Sequence, residues 1–196
     1  MISQKESAMS RFIAGARGLW ASEPNVKKRW EELAPLLREL LADPELRARS
    51  REWPARGPDD PPENLLFYED PEFGFVVNGL VKAPRTRTPI HDHAHNWTLY
   101  GVLDGSETIE RYERKDDGAH PDYADVLQTG HFRVTPGDLD LVRPWQIHAE
   151  ESGEERTVAI IVRAEKPGSF LQGRYDPVNK KYSQGYGPRQ VPYWLD

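Results

Sequence analysis

The sequence predicts a mainly β fold, an antiparallel sandwich or small barrel, with an N-terminal helical cover. Three observations predict it. From Leu65 onward, short runs rich in β-branched and aromatic residues follow one another with no helical pattern between them. Turn signals separate the runs: Asp104-Gly105, Pro136-Gly137-Asp138 and Ser152-Gly153. Ahead of them, residues 1–56 are rich in Ala, Leu, Arg, Lys and Glu, with apolar residues at helical spacing.

Within residues 1–56 the helical pattern covers Ser10–Trp20, through Phe12, Ala16, Leu19 and Trp20. It resumes over Val26–Leu41, through Trp30, Leu33, Leu36, Leu37, Leu40 and Leu41. Ser22-Glu23-Pro24 reads as a helix start, with a capping residue ahead of a proline tolerated in the first turn. Pro35 predicts a kink, or two shorter helices, because a mid-helix proline removes a hydrogen bond. Asp43-Pro44 repeats the cap-then-proline signal for a third helix ending near Glu52. The segment is expected to pack its apolar face on the rest of the chain, residues 57–196, which form the second unit.

Trp53–Pro62 is dense in Pro, Gly and Asp and reads as a connector. The expected strands lie in Phe73–Lys82, Trp97–Leu103, Glu107–Tyr112, His131–Val134, Leu139–Val142 and Thr157–Arg163. Lys115–Gln128, charged and carrying Gly118 and Pro121, is expected to be an exposed loop. After Arg163 the chain is expected to be irregular and to wrap over the barrel, since glycines and tyrosines lie there among basic residues.

Composition narrows the function classes. A formal net charge of −6 argues against nucleic acid or an anionic membrane as a main partner, since both need a basic footprint. There are no cysteines, which excludes disulfides, thiolate zinc sites and a thiol nucleophile. No signal-peptide stretch opens the sequence and no window has the length of a membrane span, so a cytoplasmic location is expected.

The chemistry concentrates in Pro89-Ile90-His91-Asp92-His93-Ala94-His95-Asn96-Trp97, which holds three of the six histidines at every second position. On a strand, side chains two apart share a face, so His91 and His93 would present two imidazoles to one point. Neutral imidazole is the commonest protein metal ligand. His148, beyond the Pro136-Gly137-Asp138 turn and Pro144, supplies a third ligand. His95 continues the alternation, either as a fourth ligand or as a hydrogen-bond donor behind the ligands. Asp92 would face away from the ion as a structural hydrogen-bond partner, and His120 and His131 would be solvated.

These motifs, HxH and then PGD, Pro and His, resemble those of the cupin superfamily, over roughly Leu65–Arg163. The resemblance implies a double-stranded β-helix, or jelly-roll barrel. The usual cupin glutamate would fall near Trp97 or Thr98, and neither is a carboxylate. The chain therefore resembles the three-histidine, cysteine-dioxygenase-like thiol dioxygenases, whose Pro-x-His-x-His and following Gly match Pro89, His91, His93 and Gly105 without a gap. That resemblance implies Fe(II) as cofactor and a reaction that inserts both atoms of O₂ into a small substrate bound to iron. Three neutral imidazoles leave a divalent charge uncompensated, which favours an anionic ligand in the open positions.

Other positions depart from the family. Thr98 stands where those enzymes carry a cysteine that can cross-link to a tyrosine. Their last barrel strand alternates Ser, His and Tyr toward the substrate, where this chain reads Thr157-Val-Ala-Ile-Ile-Val-Arg-Ala. Their carboxylate-binding arginine would fall near Leu65. The implied substrate is thus a small thiol or other anionic chelator other than cysteine. Arg85, Arg87, Arg143 and Arg163 are the candidates to grip it. Trp97 is either pocket wall or core, and Tyr68, Tyr100 and Trp145 are core or rim aromatics of which Tyr68 is a substrate-contact candidate.

Two rival functions stand beside this one, because one barrel hosts many chemistries. The same site could hold Ni, Zn or Mn as a Lewis acid for a lyase or isomerase. The chain could also be a non-enzymatic ligand-binding cupin. The expected partners are a small-molecule substrate and O₂, in a monomer or homodimer.

Overall fold

Three helices lead the chain, each started by a side-chain cap. They are α1 (Ala8–Ser22, capped by Ser7), α2 (Val26–Leu41, capped by Asn25) and α3 (Pro44–Ser50, capped by Asp43). These and all later features come from a computed structural model that describes residues 6–57 and 59–195, so Pro58 of the predicted connector lies outside the described residues. Two expectations about this region are corrected. The cap of α2 is Asn25, one residue beyond Pro24, because its Oδ1 accepts the Lys28 N–H at 3.0 Å. Pro35 lies inside α2, which runs on through it as one helix, so the alternative of two shorter helices is set aside.

Twelve strands follow: β1 (Glu63–Glu69), β2 (Val76–Lys82), β3 (Ile90–His91), β4 (Thr98–Asp104), β5 (Glu107–Arg114), β6 (Val126–Val134), β7 (Leu139–Val142), β8 (Ile147–Ser152), β9 (Thr157–Arg163), β10 (Leu171–Asp176), β11 (Lys181–Tyr186) and β12 (Arg189–Pro192). They form two six-stranded sheets, in the orders β12-β1-β2-β9-β4-β7 and β11-β10-β3-β8-β5-β6. All pairings are antiparallel except β1 with β12. The nested pairs β2·β9, β3·β8, β4·β7 and β5·β6 are those of a ribbon folded over on itself. That is the jelly roll, or double-stranded β-helix.

The tail is not irregular. Residues 171–186 form the β10–β11 hairpin on the second sheet, and residues 189–192 add a parallel edge to the first. Alternation explains what Gly-rich composition hid, since Tyr175 and Tyr182 pack against Ile90, Ala124, Val126, Ile147 and Ala149. β6 is likewise longer than His131–Val134 and shortens the predicted loop to 115–125.

Side-chain alternation separates two cores. On β9, Val158, Ile160 and Val162 face outward with Leu99 and Leu103 of β4, and meet Trp30, Leu33, Leu37 and Leu40 of α2. The helices thus cover the outer face of the first sheet. The opposite parity, Tyr100, Val102, Ala159 and Ile161, faces Ile109 and Val134 inside the barrel. Thr157 and Arg163 share that inward parity. Gly105 turns β4 into β5 at φ +77°, and a Cβ there would stand 2.5 Å from the Arg156 carbonyl oxygen.

Candidate metal centre

The three predicted ligands come together at one end of the barrel interior. His91 and His148 are partners on the β3–β8 rung, and the ring centroids of His91, His93 and His148 lie 4.4–5.0 Å apart. Each offers a ring nitrogen within 4.8 Å of the others, so the group could hold a metal ion. The strand argument for His93 is corrected. β3 ends at His91, and His93 sits in the turn that follows, which Ala94 completes at φ +49°. His93 reaches the same point through that turn, which Asp92 builds. The buried Asp92 carboxylate accepts from the Ala94 and Gly173 amides at 2.8 and 3.0 Å and from the Tyr175 hydroxyl at 2.6 Å.

Hydrogen bonds behind the rings orient them. His91 Nδ1 lies 2.9 Å from the Pro89 carbonyl, and His148 Nδ1 lies 3.1 Å from that of Gln146. A carbonyl only accepts, so both rings carry a proton on Nδ1 and direct Nε2 inward, where a bound ion would take its lone pair. His91 Nε2 and His93 Nε2 stand 3.1 Å apart. His93 Nδ1 and His148 Nε2 are buried without a hydrogen-bond partner. Whichever nitrogen of His93 holds its proton, a buried ring nitrogen stays unsatisfied, and a cation shared by the three rings would give His148 Nε2 the partner it lacks. Ligands at right angles around an ion with bonds of about 2.1 Å lie about 3.0 Å apart, close to the observed spacing. The donor set fits a divalent transition metal.

Burial, and then the neighbouring His148, pushes the His91 imidazole down to about 4. The same two causes hold His93 well below its ordinary value. Both are therefore neutral, ligand-competent groups at neutral pH. His148 moves the other way. Burial is the largest single influence and would lower it, but the charge of the adjacent Glu150 and the direct contact of its carboxylate together raise it.

A cavity of about 350 Å³ opens on His91 and His93. Leu80, Val142 and Ile161 give it apolar walls, and Lys82, Tyr100, Glu150 and Arg163 give it polar ones. Lys82 is neutralised by Glu107 at 2.7 Å, and that carboxylate also accepts from Tyr100 and Thr157, each at 2.6 Å. Arg163, only 4% exposed, has no carboxylate partner among the described residues. It donates to the Asn78 side-chain oxygen at 2.8 Å, the Asn64 amide oxygen can accept from it at 3.0 Å, and its Nε has no partner. Burial lowers it to about 10, so it remains a cation at neutral pH.

Most other candidates lie elsewhere, although Arg87 lines the cavity, where Glu110 neutralises it. Trp97 stacks on Trp30 of α2, ring centroids 6.4 Å apart, so the helical cover takes it away from the barrel interior. Tyr68 joins the same outer core and donates to Asp70 at 2.8 Å. Arg143 is exposed on the surface, and none of these three lines the cavity. His95 is exposed beside Glu165 at 3.1 Å, outside the histidine group. Arg85 and Arg87 are paired with Glu154 and Glu110, and His120 and His131 are exposed. Sequence reasoning missed Glu150. Its signal was the same i, i+2 spacing that pairs His91 with His93, here from His148 along β8.

No protein-family model matches the chain, and no curated protein matches it. Among solved structures it is similar to the cupin domain of Schizosaccharomyces pombe Cnp3, at 12% identity and TM-score 0.41, over 53% of this chain and 64% of that one. It is also similar to an uncharacterised protein with a double-stranded β-helix domain from Klebsiella pneumoniae, at 17% identity and TM-score 0.40, over 67% of this chain and 90% of that one. A third is hydroquinone 1,2-dioxygenase in complex with Cd²⁺ and 4-hydroxybenzonitrile, at 17% identity and TM-score 0.43, over 56% and 68%. The chain thus spans just under two thirds of the first of these. No described helix is long and apolar enough to cross a membrane.

Proposed function

We propose that the chain is a mononuclear non-haem Fe(II) dioxygenase of the cysteine-dioxygenase-like type, acting on a small thiol or other anionic chelating substrate that is not cysteine. One observation carries the reading. Two of the three clustered histidines, His91 and His93, line a cavity with Arg163, a buried cation paired only with amides among the described residues. His91, His93 and His148 would hold the iron. When bound, iron supplies the redox chemistry that adds O₂ to a coordinated anion.

The remaining work belongs to the chain's own residues. Arg163 orients the far anionic group of the substrate, since a guanidinium held by neutral partners keeps its charge free for one. Leu80, Val142 and Ile161 exclude water from the reacting region. The inward face of β9 presents Thr157, Ala159, Ile161 and Arg163, and its one hydroxyl, that of Thr157, is already engaged with Glu107. A bulkier or more apolar anion is the better match.

The test is metal analysis of anaerobically purified protein, with O₂ uptake recorded against a panel of thiols and β-dicarbonyls. The expected result is about one iron per chain and substrate-dependent O₂ uptake. Zinc, nickel or manganese without O₂ uptake would replace this reading with Lewis-acid chemistry. A protein that binds no metal would end both.

A further inference from the structure

We infer that Glu150 is a fourth protein ligand of the same ion, taking from β8 the carboxylate that the first motif lacks at Trp97 and Thr98. The inference rests on the reading that His91, His93 and His148 hold a divalent metal. Glu150 lies two residues beyond His148 on β8, so both side chains point into the barrel. Its Oε1 is 3.1 Å from His148 Nε2, yet that nitrogen has no aligned hydrogen bond. The spacing equals that between His91 Nε2 and His93 Nε2, and both match the separation of adjacent ligands on one ion, about 3.0 Å. Glu150 stands outside the group formed by His91, His93 and His148, so its carboxylate would draw in from His148 as the metal binds.

The other carboxylate oxygen is already occupied. The Thr88 hydroxyl accepts from the Glu150 N–H at 2.9 Å and donates to Oε2 at 2.7 Å. A hydroxyl has one proton, so this pair locks the carboxylate rotamer and leaves Oε1 as the oxygen beside the histidines. The carboxylate is 6% exposed and touches no lysine or arginine within salt-bridge distance among the described residues. In the metal-free protein that charge is met by His148 alone, and an ion held by the three imidazoles would take over the role. With four protein donors, a six-coordinate ion keeps two open positions and a net charge of +1. The site then suits a singly charged anion beside one further small ligand.

Cobalt(II) titration of the metal-free full chain tests this, using wild type, Glu150→Gln and His93→Ala. Visible absorption reports coordination, and thermal unfolding of each metal-free variant reports folding. Wild type should bind one Co(II) per chain, and His93→Ala should lose it. Glu150→Gln should bind about 10- to 100-fold more weakly, with a changed ligand-field spectrum. Infrared difference spectra of wild type carrying ¹³C-labelled glutamate should show a carboxylate band that moves when zinc is added. That measurement stands even if the variant does not fold. Weaker binding with an unchanged spectrum and an unmoved infrared band would reduce Glu150 to a nearby charge and overturn the inference. Equal affinity and equal spectra would overturn it too, while leaving the three-histidine site intact. Failure of wild type to bind Co(II) would remove the histidine site itself.

Discussion

His91 and His148 are direct partners on one antiparallel rung, residues 57 positions apart in the chain with ring centroids 4.4 Å apart. The rung places two imidazoles by backbone pairing alone, and the turn at Asp92–Ala94 needs only to add His93. Replacing His93 by Ala is therefore expected to remove metal retention and activity together, while the β3–β8 pairing survives. Metal content and far-ultraviolet circular dichroism check this. A His93→Ala protein with full metal content would remove the proposed centre.

Arg163 separates affinity from stability. Losing a charge-assisted contact costs about 1.5–3 kcal/mol, so Arg163→Met should raise KM for an anionic substrate roughly 10- to 100-fold with a smaller effect on kcat. Lysine should not restore it, because the fork geometry is lost. The same variant removes a buried cation without a carboxylate partner, so its thermal midpoint should stay level or rise. A fall in the midpoint with KM unchanged would assign Arg163 to structure instead of substrate.

The pH dependence of the metal-free protein carries the mark of His91. Its folded value is about 4 against 6.5 for the free side chain, so between those values the unfolded chain binds the extra proton. Its contribution to stability therefore weakens as pH falls from 6.5 toward 4. His148, raised above 6.5, has the opposite sign, and its contribution is lost as pH rises through the folded value. Denaturation of His91→Gln at pH 6.5 and 4.5 should show a smaller acid loss than wild type. Equal losses would contradict the assignment.

Lys82 and Glu107, 2% and 1% exposed, form an ion pair at the inner wall of the cavity. Lys82→Met strands the Glu107 charge among Tyr100 and Thr157 and should cost about 3–5 kcal/mol. Lys82→Met/Glu107→Leu should recover much of that loss in a urea titration. A double variant no better than the single one would show that the stranded charge does not set the cost.

Much of this was legible in sequence because it obeys local rules. Caps placed the helices to within a few residues, the β-branched run Thr157–Arg163 matches β9 end to end, and PGD marked the approach to His148. What was not legible depends on partners distant in sequence. Trp97 reads equally well as pocket or core until α2 supplies Trp30. The β10–β11 hairpin is hidden by glycines whose purpose lies in a neighbour. A Cβ on Gly173 would collide with the Asp92 carboxylate. Glu150 was within reach, but strand periodicity had been applied to histidines alone.

The Asp92 carboxylate ties the turn carrying His93 to Gly173 and Tyr175, some eighty positions downstream. A ribosome releases the chain from its N-terminus, so all three imidazoles emerge before that tie can close. The centre is therefore finished late in synthesis, when the tail hairpin adds to the second sheet. An ion captured earlier would meet a looser, less selective site.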